Sequence, residues 1–215
     1  MRKGLLEKVL RKEAWTADCM LICLPGIGLV GSLTGELLME SAAENIPLLE
    51  LYPESLLYVS VTSREGLITP PKITVNKIRT GEFRDVIIVR GTSQPTNQFS
   101  QYELARRLVE VAEESGVRIV IGIGGYAITR VGEKRKVYIS STNWRISMLG
   151  ASLGFLPLRG TVVGAAGLIP GLASLHGLDN ACILVETNGE SPDLAAAKTA
   201  QNSVLSFLKK YFSVD

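Results

Sequence analysis

Three glycines near the amino terminus have the spacing of a nucleotide-binding turn. Gly26, Gly28 and Gly31 form a complete G-x-G-x-x-G after the apolar run of residues 20–24. Between a strand and a helix, such glycines allow a tight turn and bring the backbone close to a pyrophosphate. A dinucleotide site also needs an acid for the ribose, and Glu50 lies nineteen residues after Gly31. Two alternatives stay open, an anion at the helix N-terminus and a turn that serves packing only. Pro25 before the first glycine restricts the backbone and favours the packing turn, so we expect no cofactor.

A polar segment near the carboxyl terminus is the second candidate site. Residues 186–193 contain three carboxylates and follow an apolar run that is typical of a buried strand. The carboxyl end of such a strand is where α/β folds bind ligands. The local alternative is that Asn188-Gly189 makes a turn and that Ser191 or Asp193 caps the last helix, with Pro192 in its first turn.

Polar residues also lie at the end of the run of residues 85–90 and in the loop after it. Arg90, Gln94 and Asn97 lie there, and they line either the same crevice or a solvated loop. The candidate ligand crevice therefore comprises Gly26, Gly28, Gly31, Gln94, Asn97, Glu186 and Asp193.

Histidine-based and metal-based catalysis have little support in the residue types. His176 is the single histidine, Ser174 is poorly placed beside it on a helix, and no G-x-S-x-G occurs. Cys19, Cys23 and Cys182 lack paired metal-ligand spacing. We therefore expect no catalytic residue and no metal site.

Composition limits the classes of partner. The net charge of +2 does not favour nucleic-acid binding, and the basic run from Arg130 to Lys136 predicts a charged hairpin tip. An apolar fraction of 46% with a mean hydropathy of +0.22 predicts self-association. Residues 160–178 carry no charge, but their glycines and Pro170 argue against a membrane span. Few cysteines, and an amphipathic segment 1–16 without a long apolar run, favour a cytoplasmic location.

Hydrophobic periodicity places these residues on alternating strands and helices. The pattern predicts one α/β domain over residues 1–215, with a mixed, mostly parallel sheet flanked by helices. Half-exposed strands at 56–62 and 73–79 are expected to form a hairpin. The remaining expected strands are 19–24, 46–52, 85–90, 117–123, 135–141, 161–166 and 181–186. The expected helices are 28–43, 98–115, 144–153, 168–175 and a last helix 193–212, followed by a tail 213–215.

Five segments, in order, resemble the archaeal and bacterial relatives of the eukaryotic proteasome assembly chaperones. These segments are 25–31, 91–95 with 102–105, 120–125, 160–168, and 186–193 with Ala195 and Ala196. The likeness covers about residues 17–210. It implies a phosphorylase/hydrolase-like α/β domain in a cytosolic homo-oligomer without established enzymatic activity.

The resemblance also implies binding to proteasome subunits through a tail of the pattern hydrophobic–Tyr–any residue. This chain departs from that pattern, because Lys210 precedes Tyr211 and Val214 is the penultimate residue. The candidate partner-binding tail is Leu208, Tyr211, Phe212 and Val214, with core or oligomer packing of the same residues as the alternative. We therefore expect a non-enzymatic assembly chaperone or scaffold that binds proteasome subunits, a related ring or a homologous chaperone. The alternative is a nucleoside- or phosphate-handling hydrolase or transferase that uses the crevice.

Overall fold

Strands and helices alternate along most of the chain. The computed structural model describes residues 4–11, 15–57, 60–79, 85–190 and 192–213, with only the backbone of Val61. The strands are β1 (Leu5–Val9), β2 (Cys19–Ile22), β3 (Glu44–Pro53), β4 (Val61–Thr62), β5 (Ile68–Thr69), β6 (Ile73–Arg79), β7 (Asp85–Gly91), β8 (Ile119–Ala127), β9 (Val137–Ser140), β10 (Leu156–Pro157) and β11 (Asp179–Thr187). The helices are α1 (Val30–Glu40), α2 (Gln98–Glu114), α3 (Trp144–Ala151), α4 (Ala165–Leu175) and α5 (Leu194–Ser213).

Nine of these strands form one mixed sheet in the order β1-β3-β6-β7-β2-β8-β11-β9-β10. The central strands β7, β2, β8 and β11 are parallel neighbours. On one side β7, β6, β3 and β1 pair antiparallel in succession. On the other side β9 is antiparallel to β11, and β10 is parallel to β9. The expected α/β class with a mixed sheet flanked by helices is confirmed.

Each face of the sheet packs on its own set of helices. Along β2, Met20 and Ile22 join a core cluster that includes residues of α2 and α4. Cys19 and Leu21 belong to a second cluster with residues of α1, α3 and α5. Because successive side chains of a strand point to opposite faces, the unbroken apolar run of β2 serves both cores.

One predicted pairing and one predicted strand are wrong, although the strand expected at 73–79 is present as β6. Ile73–Arg79 does not form a hairpin with 56–62, because it pairs with β3 and β7, while β4 and β5 form a separate two-stranded sheet. Residues 58–59 lie outside the described part of the chain. Residues 161–163 are irregular, and the positive φ angles of Gly160 (106°) and Gly164 (91°) break the backbone on either side of them. Alternation of side chains indicates a half-buried strand but not its partner.

The expected charged hairpin tip is also wrong. β8 and β9 do not pair, since β11 lies between them in the sheet. The basic run therefore belongs to a connection that crosses the end of β11.

The amino-terminal segment adds an edge strand. β1 lies antiparallel to β3 within the expected amphipathic segment, and residues 1–3 and 12–14 lie outside the described ranges. Within the described residues, no helix combines the length and the apolar character that crossing a bilayer requires.

Candidate functional site

The loops that follow β2, β7 and β11 meet at one edge of the sheet. Gln94, after β7, donates its side-chain N–H to the carbonyl oxygen of Pro25 at 2.6 Å. Asp193, after β11, donates its backbone N–H to the carbonyl oxygen of Gly28 at 2.8 Å. Because these strands are parallel, their carboxyl ends share this edge, as expected from the sequence.

The glycine turn is filled by other parts of the protein. Gly28 has a left-handed φ of 61°, and a Cβ there would lie 2.6 Å from Oγ1 of Thr187. A Cβ on Gly31 would lie 2.6 Å from the carbonyl oxygen of Ile123 and 2.8 Å from that of Leu24. The close approach that these glycines permit is therefore an approach of α1 and its entry turn to the sheet.

The topology removes Glu50 from this turn. β3, which carries Glu50, is separated from β2 by β6 and β7. The carboxylate accepts a hydrogen bond from Tyr52 at 2.8 Å and pairs with Lys72 and Lys8. The hydrogen bond from Lys72 lowers the pKa of Glu50 below its ordinary value, although partial burial opposes this shift. A dinucleotide fingerprint needs the acid on a strand next to the turn, so this constellation does not fit one.

Gln94 is the residue that connects the edge. Besides its bond to Pro25, its side-chain oxygen accepts the backbone N–H of Ala165 at 2.9 Å, at the start of α4. Asn97, by contrast, caps α2, with its side-chain oxygen accepting from Ser100 N at 2.9 Å. Arg90 lies against α1, where its guanidinium pairs with Glu36. The structure thus brings Gln94 to the glycine turn and uses Asn97 and Arg90 in other contacts.

Asp193 has a local structural role that uses both carboxylate oxygens. Oδ1 accepts the backbone N–H of Ala196 at 3.0 Å, which caps the first turn of α5. Oδ2 accepts the hydroxyl of Thr187 at 2.8 Å. Arg135 pairs with the same carboxylate at 3.1 Å, and the Asp193 side chain is only 8% exposed. The capping alternative is confirmed for Asp193, but Pro192 precedes α5, which begins at Leu194, and does not lie in its first turn. Ser191 lies outside the described residues.

Glu186 points toward β9 and is almost completely buried. Its carboxylate accepts the hydroxyl of Tyr138 at 2.9 Å and the backbone N–H of Lys136 at 3.1 Å. Burial and then the hydrogen bond to this carboxylate raise the pKa of Tyr138. The Tyr138 ring packs against Tyr126 with a centroid distance of 4.6 Å. Glu186 therefore anchors β9 to the end of β11.

Thr187 and Arg135 are the residues that sequence reasoning missed. Thr187 is fully buried and contacts both Gly28 and Asp193. Arg135 is only partly exposed and also donates to the carbonyl oxygen of Glu186 at 3.1 Å. Thr187 ends an apolar run, and Arg135 lies inside a basic run, so neither residue type stands out locally.

The histidine and the thiols have structural surroundings. His176 Nδ1 lies 3.1 Å from Oε1 of Glu113, and both side chains are close to half exposed. Burial raises the pKa of Cys23 and of Cys182 to about 12 and also raises that of Cys19. Within the described ranges, no group of three or more His, Cys, Asp or Glu side chains could hold a metal ion.

The candidate tail residues pack against the body of the protein. Leu208 is buried, and the Tyr211 ring stacks on Phe207 at 6.4 Å. Tyr211 donates its hydroxyl to Asp179 at 2.8 Å, and the Arg118 guanidinium lies 4.8 Å from the centre of the Phe212 ring. Val214 lies outside the described residues. Partner binding by Tyr211 and Phe212 stays a prediction, and it would require them to leave these contacts.

Most polar groups that converge at this edge therefore satisfy one another. The bonds of Gln94, Asp193 and Glu186 hold five segments of chain together: the glycine turn, the loop after β7, the start of β9, the start of α4, and the chain from the end of β11 to the start of α5. Ligand binding at the predicted crevice stays a prediction, since a ligand would have to displace or extend these bonds.

Comparison with known proteins identifies the family of this chain. A family model described as the PAC2 family matches residues 20–215. The chain belongs to the PAC2 family. A relative, the uncharacterized protein MJ1210 of Methanocaldococcus jannaschii, is 33% identical over 201 residues, which are 92% of this chain and 76% of that protein.

Solved structures extend the family match to three dimensions. Pyrococcus furiosus PbaB, an archaeal proteasome activator, is 26% identical with a TM-score of 0.87, over 97% of this chain and 90% of PbaB. Pyrococcus furiosus PbaA, an archaeal homolog of proteasome-assembly chaperone, has the same fold with a TM-score of 0.77 at 21% identity, over 95% of this chain and 86% of PbaA. The resemblance inferred from five short segments is thus confirmed for the PAC2 family.

Proposed function

We propose that this PAC2-family protein is a non-enzymatic scaffold that assembles or activates a proteasome-type ring. The observation that carries the proposal is the likeness to PbaB, a proteasome activator, over nearly the whole of both chains. The internal bonding of the crevice carboxylates supports a binding role over a catalytic one, because a general acid or base must face its substrate. We place this activity in the cytoplasm, where buried free thiols such as Cys23 persist.

Self-association is part of the proposal and has its own support. A surface cavity of about 650 Å³ lies between the start of α2 and the apolar helix α4. Tyr102 and Val163 line it with exposed fractions of 45% and 88%. Nearby elements also expose Phe99 and Leu175. Apolar side chains exposed to this extent are typical of interfaces, and repeated subunits would multiply weak contacts with a ring.

The direct test is capture of recombinant proteasome α-subunits and assembled core particles by the tagged full-length chain. We expect capture by the wild type. A chain that lacks residues 213–215 measures what the tail contributes. Failure of both proteins to retain either form of the proteasome would refute the proposal.

Self-association has a separate readout in light scattering. Val163→Asp should reduce the oligomer mass, whereas Leu67→Asp should not, although Leu67 is 69% exposed in the loop between β4 and β5. A monomeric wild type, or equal effects of the two variants, would contradict the oligomer proposal.

The enzyme alternative predicts a different result. Phosphate, nucleosides or nucleotides should then raise the melting temperature by several degrees, because a native-state ligand stabilises by mass action. The scaffold proposal predicts no such shift with any of these compounds.

A further inference from the structure

Acidic residues are unevenly distributed along the chain. None of the 21 Asp and Glu residues falls in residues 134–178 or 194–213. These two windows hold eight Lys and Arg residues, five in the first and three in the second. The strands β9 and β10 at one end of the sheet and the neighbouring helices α3 and α5 are built from these windows, and they contain Arg145, Lys198, Lys209 and Lys210 but no Asp or Glu.

A groove lies at this end, and we call it the β9–α5 groove. It is a surface cavity of about 940 Å³ lined by residues 133–137, residues 153–156, Thr199, Asn202 and Ser203. Its apolar lining comes from Val137, Leu153, Phe155 and Leu156, of which Leu156 is 40% exposed. The α5 side adds uncharged hydroxyl and amide groups.

The charged residues of the groove lining, which we call its rim, are residues 133–136. Lysines supply most of the charge there that is not neutralised by a close ion pair. Arg135 is neutralised by Asp193 at 3.1 Å. The Nζ atom of Lys136 comes only within 4.0 Å of Glu186 Oε1, and its side chain is 63% exposed. Lys134 is also exposed, and Glu133 is the one acidic residue of the lining. The rim therefore presents positive charge around an apolar floor.

We propose that the β9–α5 groove binds an acidic polypeptide segment that carries an apolar side chain as its anchor. Charge complementarity selects the acidic partner, and the apolar floor selects a protein over a nucleic acid. This inference deepens the proposed scaffold function, on which it rests for the biological partner, by stating the chemistry of the bound segment.

The bound segment is held by side chains and does not extend the sheet. Leu158 donates its N–H to Ile139 on β9 at 2.8 Å. The preceding residue, Pro157, has no N–H to offer on the open side of β10. An added strand would therefore lack a donor at the centre of this short edge.

The test is fluorescence anisotropy with the full-length protein and short labelled peptides. The probe has acidic residues on both sides of a Leu-Phe pair. One control peptide replaces the acids by lysine, and a second replaces Leu-Phe by serines. We expect binding of the probe at low ionic strength, weaker binding at high salt, and little binding of either control. An unlabelled single-stranded oligonucleotide should not displace the probe.

Variants tie the binding to the groove. Lys134→Glu with Lys136→Gln should weaken probe binding about tenfold, which is about 1.4 kcal/mol. Arg64→Glu with Arg106→Gln makes the same change in net charge at exposed residues outside the groove and should leave binding unchanged. Circular dichroism checks that each variant is folded.

The apolar floor has its own matched pair. Leu156→Ser should weaken binding, whereas Met148→Ser, at a residue 58% exposed on α3, should not. Absence of probe binding, equal loss in a control variant, equal binding of the lysine peptide, or displacement by the oligonucleotide would each overturn the groove proposal. None of these results depends on proteasome capture, so the two proposals can fail separately.

Discussion

Replacing Gly31 by alanine adds one methyl group where α1 lies against the sheet. The new Cβ would lie 2.6 Å from the carbonyl oxygen of Ile123 and 2.8 Å from that of Leu24. Both neighbours are backbone atoms of the central sheet region, so neither can rotate away as a flexible side chain would. Gly171 in α4 is a natural control, because a Cβ there would meet no atom within 4 Å.

The two alanine variants should change stability in opposite directions. Overpacking costs about 1–3 kcal/mol, and two backbone clashes place Gly31→Ala near the upper end. Alanine in a helix recovers about 0.5–1 kcal/mol relative to glycine. The net loss for Gly31→Ala is therefore about 2 kcal/mol, or about 4–8 °C in melting temperature. Gly171→Ala makes only the favourable change and should gain about 0.5–1 kcal/mol.

Urea unfolding followed by circular dichroism measures both free energies. Protein concentration must be equal in all samples, since self-association would add to the apparent stability. A Gly31→Ala variant as stable as the wild type, or stabilised like Gly171→Ala, would refute the assignment of this glycine to close packing. The glycine turn would then have to be considered again as a site for a bound anion.

Three further predictions follow from side chains whose contacts are defined. Gln94→Ala should lower the free energy of unfolding in urea by about 2–3 kcal/mol, because the Pro25 carbonyl and the Ala165 N–H lose their hydrogen-bond partner. The control Gln98→Ala, at an exposed position, should leave this free energy nearly unchanged. The lowered pKa of Glu50 means that its ionised form stabilises the fold above its ordinary pKa and that this contribution is lost as pH falls through the folded value. The stability difference between wild type and Glu50→Gln should therefore be full at neutral pH and shrink in acid, and a pH-independent difference would contradict it. Burial with raised pKa values should keep Cys23 and Cys182 unreactive toward a thiol reagent until urea unfolds the protein, and rapid labelling of the native protein would contradict their burial.

Much of the fold is visible in hydrophobic patterning. The buried runs that became β2, β7, β8 and β11 could be predicted because they are short and almost continuously apolar. The helices α2 and α5 could be predicted because their apolar residues recur at helical spacing. The irregular conformation of residues 161–163 could not be predicted. Their β-branched side chains are typical of a strand, whereas the two flanking glycines, which have positive φ angles, interrupt the extended backbone. The partner of β6 could not be predicted either, because alternation defines a face and not a neighbour.

The candidate site was predictable at the level of its edge. Strand ends in a parallel sheet meet, so the strand assignments allowed Gly28, Gln94 and Asp193 to share one crevice, with a solvated loop as the alternative for Gln94. The direction in which each side chain points could not be predicted in this way. Arg135, for example, turns toward the site because it pairs with Asp193. Asp193 is distant from Arg135 in the chain and lies beside it only after folding.

The glycine motif shows why spacing alone does not identify a ligand. A G-x-G-x-x-G indicates that backbone comes close to something, and the same turn serves a pyrophosphate or a packed strand. A ligand site and a packing turn differ in what lies against the glycines: open space for a ligand in the first, protein atoms in the second. Here Thr187 fills this space, because β11 ends beside the turn and Asp193 ties the following loop to Gly28. Glu50 has the chain spacing of a ribose ligand, but two strands inserted later in the sequence separate β3 from β2 in the sheet. The order of strands in space, which no local spacing encodes, therefore decides between a cofactor site and a structural turn.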